Sequence, residues 1–80
     1  MIQYKSSVEK DLRRIDKSTV RRLLGKLEQG LGRNARAGEP LKGDFEGLYK
    51  YRVGDYRVIY TQTAEGILVL RIAHRKEVYR

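Results

Sequence analysis

Three cations alternate with aromatic residues along a stretch of sequence that predicts a β-hairpin. Residues 49–60 alternate Lys and Arg with apolar or aromatic side chains around Gly54-Asp55, a dipeptide that favours a two-residue turn. In the register that such a turn sets, Lys50, Arg52 and Arg57 share one face of the hairpin. Guanidinium and ammonium groups bind phosphate, so this face could hold a polyanion. The predicted pairs on the opposite, apolar face are Val53–Tyr56, Tyr51–Val58 and Tyr49–Tyr60.

The same register places Arg52 directly opposite Arg57. Like charges on facing positions of neighbouring strands destabilise a sheet. A polyanion bound there would offset the repulsion. The alternative is that these cations only solvate an outer sheet face, where most charged residues lie. The hairpin alone leaves both interpretations open.

Two side chains that can transfer protons follow the last predicted strand. His74 carries an imidazole, and Tyr79 carries a phenolic hydroxyl. Both leave the sheet beside the basic face, which favours a role in chemistry. A terminal tail of this kind can equally be an exposed end, and a lone histidine after a strand is more often a surface or cap residue.

The composition narrows the class of partner. The chain has 80 residues, which predicts one domain over 1–80, and its 18 Lys and Arg against 10 acidic residues make a net charge of +8. That charge favours RNA, DNA or an acidic protein as partner. With no cysteine and one histidine, the sequence predicts no metal site and no cofactor. It contains no signal peptide or apolar run of spanning length, so we expect a cytoplasmic protein without membrane contact.

The elements that must hold the cations are a sheet and a helical hairpin. Ile2 to Lys5 predicts an edge strand, and Ser6 with Glu9 predicts a capping box that opens a first helix. Asp16 or Ser18 predicts the cap of a second helix. The apolar positions at helical spacing are Val8, Leu12 and Ile15 in the first helix and Val20, Leu23, Leu24, Leu27 and Leu31 in the second.

A third strand follows the hairpin after the turn around Gly66. A three-residue loop with Gly66 in a left-handed conformation predicts the pairs Tyr60–Leu70 and Val58–Ile72. Leu68, Leu70 and Ile72 would then extend the core face. The predicted fold is α+β, a small single domain of order β-α-α-β-β-β, with the helical hairpin packed on one face of an antiparallel sheet.

Four segments in this order resemble the RelE branch of the RelE/ParE toxin superfamily. They are 41–43 (LKG), 48–52 (LYKYR), 55–60 (DYRVIY) and 74–79 (HRKEVY). The length, element order and basic charge agree with this resemblance, which covers essentially the whole chain. It implies a toxin of a type II toxin–antitoxin system that cuts mRNA in the ribosomal A site. It also implies metal-independent cleavage by the 2′-hydroxyl of the RNA, which leaves a 2′,3′-cyclic phosphate and a 5′-hydroxyl.

The resemblance implies roles for individual residues. Lys50 and Arg52 would lie near the scissile phosphate and the nucleophile, and Arg57 would orient the phosphate. Arg75 would stabilise the transition state, and Tyr79 would stack on a base. Arg52 stands where well-known members carry Lys, and because Arg does not release its proton, Lys50 is the better proton shuttle, with His74 as the alternative.

Other basic residues are candidates for contacts with ribosomal RNA or mRNA, although each could also belong to a solvated face. They are Arg13, Arg14, Arg21, Arg22, Lys26, Arg33, Arg71 and Lys76. The family further implies a cognate antitoxin, through which the complex would bind operator DNA. Two alternatives remain: a ParE-like inhibitor of DNA gyrase that does not cut RNA, and an RNA-binding module without chemistry.

Overall fold

Two helices pack on one face of a five-stranded sheet in the computed structural model, which describes residues 1–78 and their side chains through Lys76. In chain order the elements are β1 (Ile2–Tyr4), α1 (Ser6–Arg13), α2 (Lys17–Arg33), β2 (Glu39–Pro40), a 3-10 turn (Gly43–Phe45), β3 (Leu48–Val53), β4 (Tyr56–Thr63), β5 (Gly66–His74) and α3 (Arg75–Val78). The predicted α+β fold, with its helical hairpin on one sheet face, is confirmed. The additional elements are β2, the 3-10 turn and α3. The strand β2 forms within residues 32–40, whose composition predicts a loop, and α3 forms within the predicted tail.

The spatial order of the strands is β1-β5-β4-β3-β2. The strands β3, β4 and β5 pair antiparallel, as predicted, and β2 adds to β3 in the same sense. In contrast, β1 runs parallel to β5 with Ile2 opposite Ile67. The sheet is therefore mixed. No short turn joins β1 to a neighbour, so its direction depends on how the helices return the chain to the sheet. A hydrogen bond from the Lys5 amide to the Val69 carbonyl, 2.9 Å long, extends the parallel pairing to the start of α1.

The β3–β4 hairpin has the predicted register at every position. Val53 faces Tyr56, Tyr51 faces Val58 and Tyr49 faces Tyr60, while Arg52 faces Arg57 on the other side. Gly54 adopts a φ of 57°, the left-handed conformation that the two-residue turn requires. The core side of the hairpin packs under the helices, so the cations lie on the sheet face that the helices leave open.

The β4–β5 pairing differs from the prediction by a β-bulge. Val58 faces Ile72 as predicted, but the register shifts between Ile59 and Tyr60, and Tyr60 faces Val69 instead of Leu70. The connecting loop has two residues between Thr63 and Gly66, one fewer than predicted. A one-residue slip exchanges the two faces of a strand. The prediction that Leu68 and Leu70 enter the core is therefore wrong, and Ile67 and Val69 are buried in their place.

The buried core joins α1 and α2 to the three central strands. Its helical members are Val8, Leu23, Leu27 and Leu31, and its strand members are Val53, Val58, Tyr60, Ile67, Val69 and Ile72. The predicted residues Leu12, Ile15 and Leu24 pack against this core but stay half-buried. Within residues 1–78, no helix combines the length and hydrophobicity needed to cross a membrane.

The two helices begin differently from each other. The predicted capping box at Ser6 is wrong, because α1 already includes Ser6 and the capping residue is Lys5, which makes no side-chain capping bond. Asp16 caps α2 as predicted: its carboxylate accepts hydrogen bonds from the Thr19 amide at 3.0 Å and from the Ser18 and Thr19 hydroxyls at 2.6 Å. These bonds from Ser18 and Thr19 lower the pKa of Asp16 from 3.8 to about 2.

We expect Asp16→Ala to lower the melting temperature by several degrees at neutral pH, because α2 loses its N-cap. The pKa of Asp16 is lower in the folded state, so its stabilising effect is complete above 3.8 and disappears as the pH falls towards about 2. The melting temperatures of the variant and the wild type should therefore converge over that interval. Thermal unfolding followed by circular dichroism at several pH values measures this. A difference that persists unchanged at pH 2 would contradict the assignment.

Candidate active site

The structure brings Lys50, Arg52 and Arg57 together in one cleft of about 320 Å³. Lys50 and Arg52 alternate along β3, and Arg57 follows from the register of β4. Ala37, Glu39 and Tyr51 complete its lining. Three of the predicted site residues therefore share a surface large enough for a phosphate group and its neighbouring sugar.

Glu39 is the site residue that sequence reasoning missed. It lies in β2, where it pairs with Lys50, and its Oε2 atom is 3.8 Å from Lys50 Nζ. The predicted loop that contains Glu39 ends at Pro40. Within sheets, proline occurs almost only in edge strands. The signal that could have revealed β2 is therefore this Glu39-Pro40 pair, placed to form an edge strand beside the hairpin.

The cleft combines positive charge with one proton acceptor. Among the described residues that line it, Lys50, Arg52 and Arg57 are cationic and Glu39 alone is acidic. Arginine stays protonated at any relevant pH, so Arg52 and Arg57 can hold phosphate oxygens but cannot act as bases. The Glu39 carboxylate can accept a proton, and its side chain is 79% exposed and thus accessible to substrate.

Arg75 begins α3 beside the hairpin turn. Its amide donates a hydrogen bond to the Asp55 carbonyl, at 2.8 Å, which holds the start of α3 against the β3–β4 turn. Arg75 is exposed and is not part of the cleft lining, although this turn directly connects Arg52 and Arg57. Tyr79, the other predicted tail residue, lies outside the described residues.

His74 lies on the opposite face of the sheet from the cleft. It pairs with Tyr56, whose ring it meets edge-on with a centroid distance of 5.2 Å. Its Nδ1 atom accepts a hydrogen bond from the Lys76 amide at 3.2 Å, so it caps the start of α3. The structure does not bring His74 together with Lys50, Arg52 and Arg57, and its contacts are those of the cap residue that the sequence left as one possibility.

The remaining basic residues do not form one patch. Arg71 makes a bidentate ion pair with Asp11 of α1, at 3.0 and 3.1 Å, and Asp11 also accepts the Ile72 amide at 2.9 Å. This arrangement covers the edge of β5 that β1 leaves unpaired. The other candidates for RNA contacts lie exposed on the helices: Arg13 and Arg14 at the end of α1, Arg21, Arg22, Lys26 and Arg33 along α2, and Lys76 in α3.

The comparison with known proteins identifies the family. A family model described as the ParE toxin of the type II toxin–antitoxin system parDE matches residues 2–79. The chain belongs to this toxin family. The toxin is also 43% identical over 47 residues to Toxin RelE of Mycobacterium tuberculosis (strain ATCC 25618 / H37Rv), a match that covers 56% of the toxin and 48% of that relative. It therefore spans about half of the length of this curated relative.

Solved structures show that the toxin has the fold of this superfamily. It superposes on a chain of the RelBE2 toxin–antitoxin complex of Mycobacterium tuberculosis with a TM-score of 0.81 and 24% identity, covering 94% of the toxin and 96% of that chain. It superposes on YafQ of E. coli with a TM-score of 0.74 and 19% identity, covering 100% of the toxin and 98% of YafQ. The predicted recognition as a RelE-type toxin is confirmed.

Proposed function

We propose that this toxin is a metal-independent endoribonuclease that cuts mRNA in the A site of the 30S ribosomal subunit and so inhibits translation. The observation that carries the proposal is the cleft in which Arg52 and Arg57 face each other and Glu39 lies 3.8 Å from Lys50. It offers paired guanidinium groups for a phosphate and a carboxylate for a proton. Two arginines that face each other destabilise a sheet, and a face that is only solvated does not require such a pair.

Each step of the reaction has a residue in the cleft. Glu39 takes the proton of the 2′-hydroxyl, whose oxygen attacks the adjacent phosphorus. Arg52 and Arg57 stabilise the negative charge on the non-bridging oxygens. The bond from phosphorus to the 5′-oxygen breaks, and the Lys50 ammonium donates a proton to that leaving oxygen. The products are a 2′,3′-cyclic phosphate and a 5′-hydroxyl.

The proposal also gives roles to two C-terminal residues. Arg75 adds a cation to the transition state from the turn beside the cleft, and Tyr79 stacks on a base of the mRNA. His74 takes no part in the proton transfers, because it lies on the opposite sheet face.

Ribosome dependence follows from the openness of the cleft. Glu39 and Lys50 are 79% and 39% exposed, so the toxin alone does little to orient a flexible RNA strand. Orientation removes a large part of a reaction barrier, and the ribosome would supply it. The exposed arginines of α1 and α2, together with Lys26, would contact ribosomal RNA in a salt-sensitive manner. The cleavage of mRNA would take place in the cytoplasm.

A cognate antitoxin completes the proposed system. The net charge of +8 favours an acidic partner segment, and one of the similar folds comes from a toxin–antitoxin complex. We propose that the antitoxin covers the basic face of the sheet and carries the part that binds operator DNA.

Purified toxin should cleave mRNA on programmed ribosomes and leave free mRNA intact. We expect Glu39→Gln to lower the single-turnover rate by about 10²–10⁴-fold, the usual share of a general base.

Arg75→Ala should lower the single-turnover rate by about 10²–10³-fold, the usual cost of removing one donor to the transition state. Sequencing-gel analysis with chemical identification of the 2′,3′-cyclic phosphate would report both the rate and the chemistry.

Inhibition of DNA gyrase is the second candidate, since the matching family model carries the ParE name. Intact mRNA in every codon context, with folded toxin that blocks supercoiling by gyrase, would replace the nuclease proposal with this one. Cleavage on ribosomes without an effect on supercoiling would exclude it.

A further inference from the structure

Tyr60 reaches from the core to the loop that forms one wall of the cleft. Its side chain is fully buried in β4. The hydroxyl donates a hydrogen bond to the Ala35 carbonyl, at 2.8 Å, and accepts one from the Gly38 amide, at 3.0 Å. Burial raises the pKa of Tyr60 although the Gly38 bond acts in the opposite direction, so the hydroxyl keeps the proton that it donates. Both ends of the loop 35–38 are thus attached to one phenol.

The loop lies too close to the strands for a side chain at Gly38. A Cβ atom there would lie 2.5 Å from the Tyr60 hydroxyl and 2.7 Å from the backbone carbonyl of Lys50. The next residue is Glu39, which pairs with Lys50, and the preceding residue Ala37 lines the cleft. The hydrogen bonds of Tyr60 therefore act within one residue of the proposed general base.

Besides Tyr60, few contacts hold the segment around Glu39. They are the pairing of β2 with β3, a 2.9 Å hydrogen bond from the Leu41 amide to the Leu48 carbonyl, and a 3.4 Å bond from the Gln62 side-chain amide to the Ala35 carbonyl. The strand β2 has only two residues, and one of them is Pro40, which has no amide hydrogen to donate. The Glu39 side chain is largely exposed and contacts Lys50 at 3.8 Å. A surface ion pair of this kind is too weak to order a loop by itself.

We propose that Tyr60 is a positioning residue of the active site: its hydroxyl holds the loop 35–38 so that the Glu39 carboxylate faces Lys50 across the cleft. This inference rests on the proposed function for its effect on cleavage. The attachment itself is a property of the fold, and it can be tested separately.

The test compares Tyr60→Phe with Tyr49→Phe. Both variants keep the ring stack between these residues, whose centroids are 5.4 Å apart, and each removes one hydroxyl. The Tyr49 hydroxyl makes no hydrogen bond to any residue within the described part of the chain, so it is the matched control. Amide exchange of Gly38 should become about 10-fold faster in Tyr60→Phe, as expected for the loss of one hydrogen bond, and stay unchanged in Tyr49→Phe. Cross-strand NOEs between Glu39 and Lys50 should weaken only in Tyr60→Phe.

Cleavage on programmed ribosomes supplies the second measurement. Tyr60→Phe should lower kcat by about 10-fold or more with KM nearly unchanged. The cations that bind the phosphate stay in place, whereas Glu39, the proposed base, is displaced. Adding Glu39→Gln to Tyr60→Phe should cost much less than adding it to the wild type.

Three outcomes decide the inference. Unchanged Gly38 exchange in Tyr60→Phe would overturn it, because the loop would then be held by other contacts. Faster exchange with a full additional loss from Glu39→Gln would also overturn it, since Glu39 would work normally without the hydroxyl. If the wild-type toxin cleaves no mRNA, the proposed function fails, while exchange and NOEs still decide whether Tyr60 holds Glu39 at Lys50.

Discussion

Arg52→Gln should lower mRNA cleavage by about 10²–10³-fold without any loss of stability. Arg52 is exposed, so its replacement leaves no cavity in the core. It faces Arg57 across the hairpin, and removing one of two facing like charges should raise the free energy of unfolding by a few tenths of a kcal/mol, up to about 1 kcal/mol. Activity and stability therefore change in opposite directions, which is the signature of a residue retained for binding an anion.

Chemical denaturation and single-turnover cleavage on programmed ribosomes measure the two effects. Lys10→Gln is the matched control, because it removes one exposed positive charge that neither lines the cleft nor belongs to the cations predicted to contact RNA. The gain in stability should shrink in 1 M salt, which screens the repulsion. A variant that cleaves within about threefold of the wild type would show that the arginine pair does not serve the reaction.

Gly30→Ala should destabilise the toxin by about 1–3 kcal/mol, whereas Gly25→Ala should stabilise it by up to about 1 kcal/mol. Both glycines lie in α2, where alanine has the better helix propensity. A Cβ atom at Gly25 would meet nothing within 4 Å, but at Gly30 it would overlap the Tyr51 hydroxyl and lie 2.8 Å from Tyr51 Cζ. Tyr51 packs against the core and lines the cleft, so its ring cannot move without disturbing both.

Urea unfolding of both variants gives the two free energies. The replacement Tyr51→Leu tests the cause, because Gly30→Ala should cost much less in its presence. Equal effects of the two glycine replacements would contradict this explanation. They would mean that the Tyr51 ring moves away from a Cβ atom at position 30 without a cost in stability.

The sequence by itself determined the elements whose interactions are local. The register of the β3–β4 hairpin followed from a two-residue turn and strict alternation, and with it the shared face of Lys50, Arg52 and Arg57. The cap of α2 also depends on local bonds, since those of Asp16 reach only three residues along the chain, although the sequence alone left Ser18 as an alternative. In such cases the competing conformations differ within a few residues, so propensity and pattern decide between them.

Only the tertiary structure decided the features that join distant parts of the chain. The parallel pairing of β1 with β5 and the bulge at Leu70 depend on how the helices cover the sheet, which no local pattern encodes. The position of Glu39 beside Lys50 depends on a loop held from the core by Tyr60, 22 residues from Gly38 in sequence. The face on which His74 lies follows from its pairing with Tyr56. The proposed reaction needs a carboxylate beside the cations, and that contact exists only once the chain has folded.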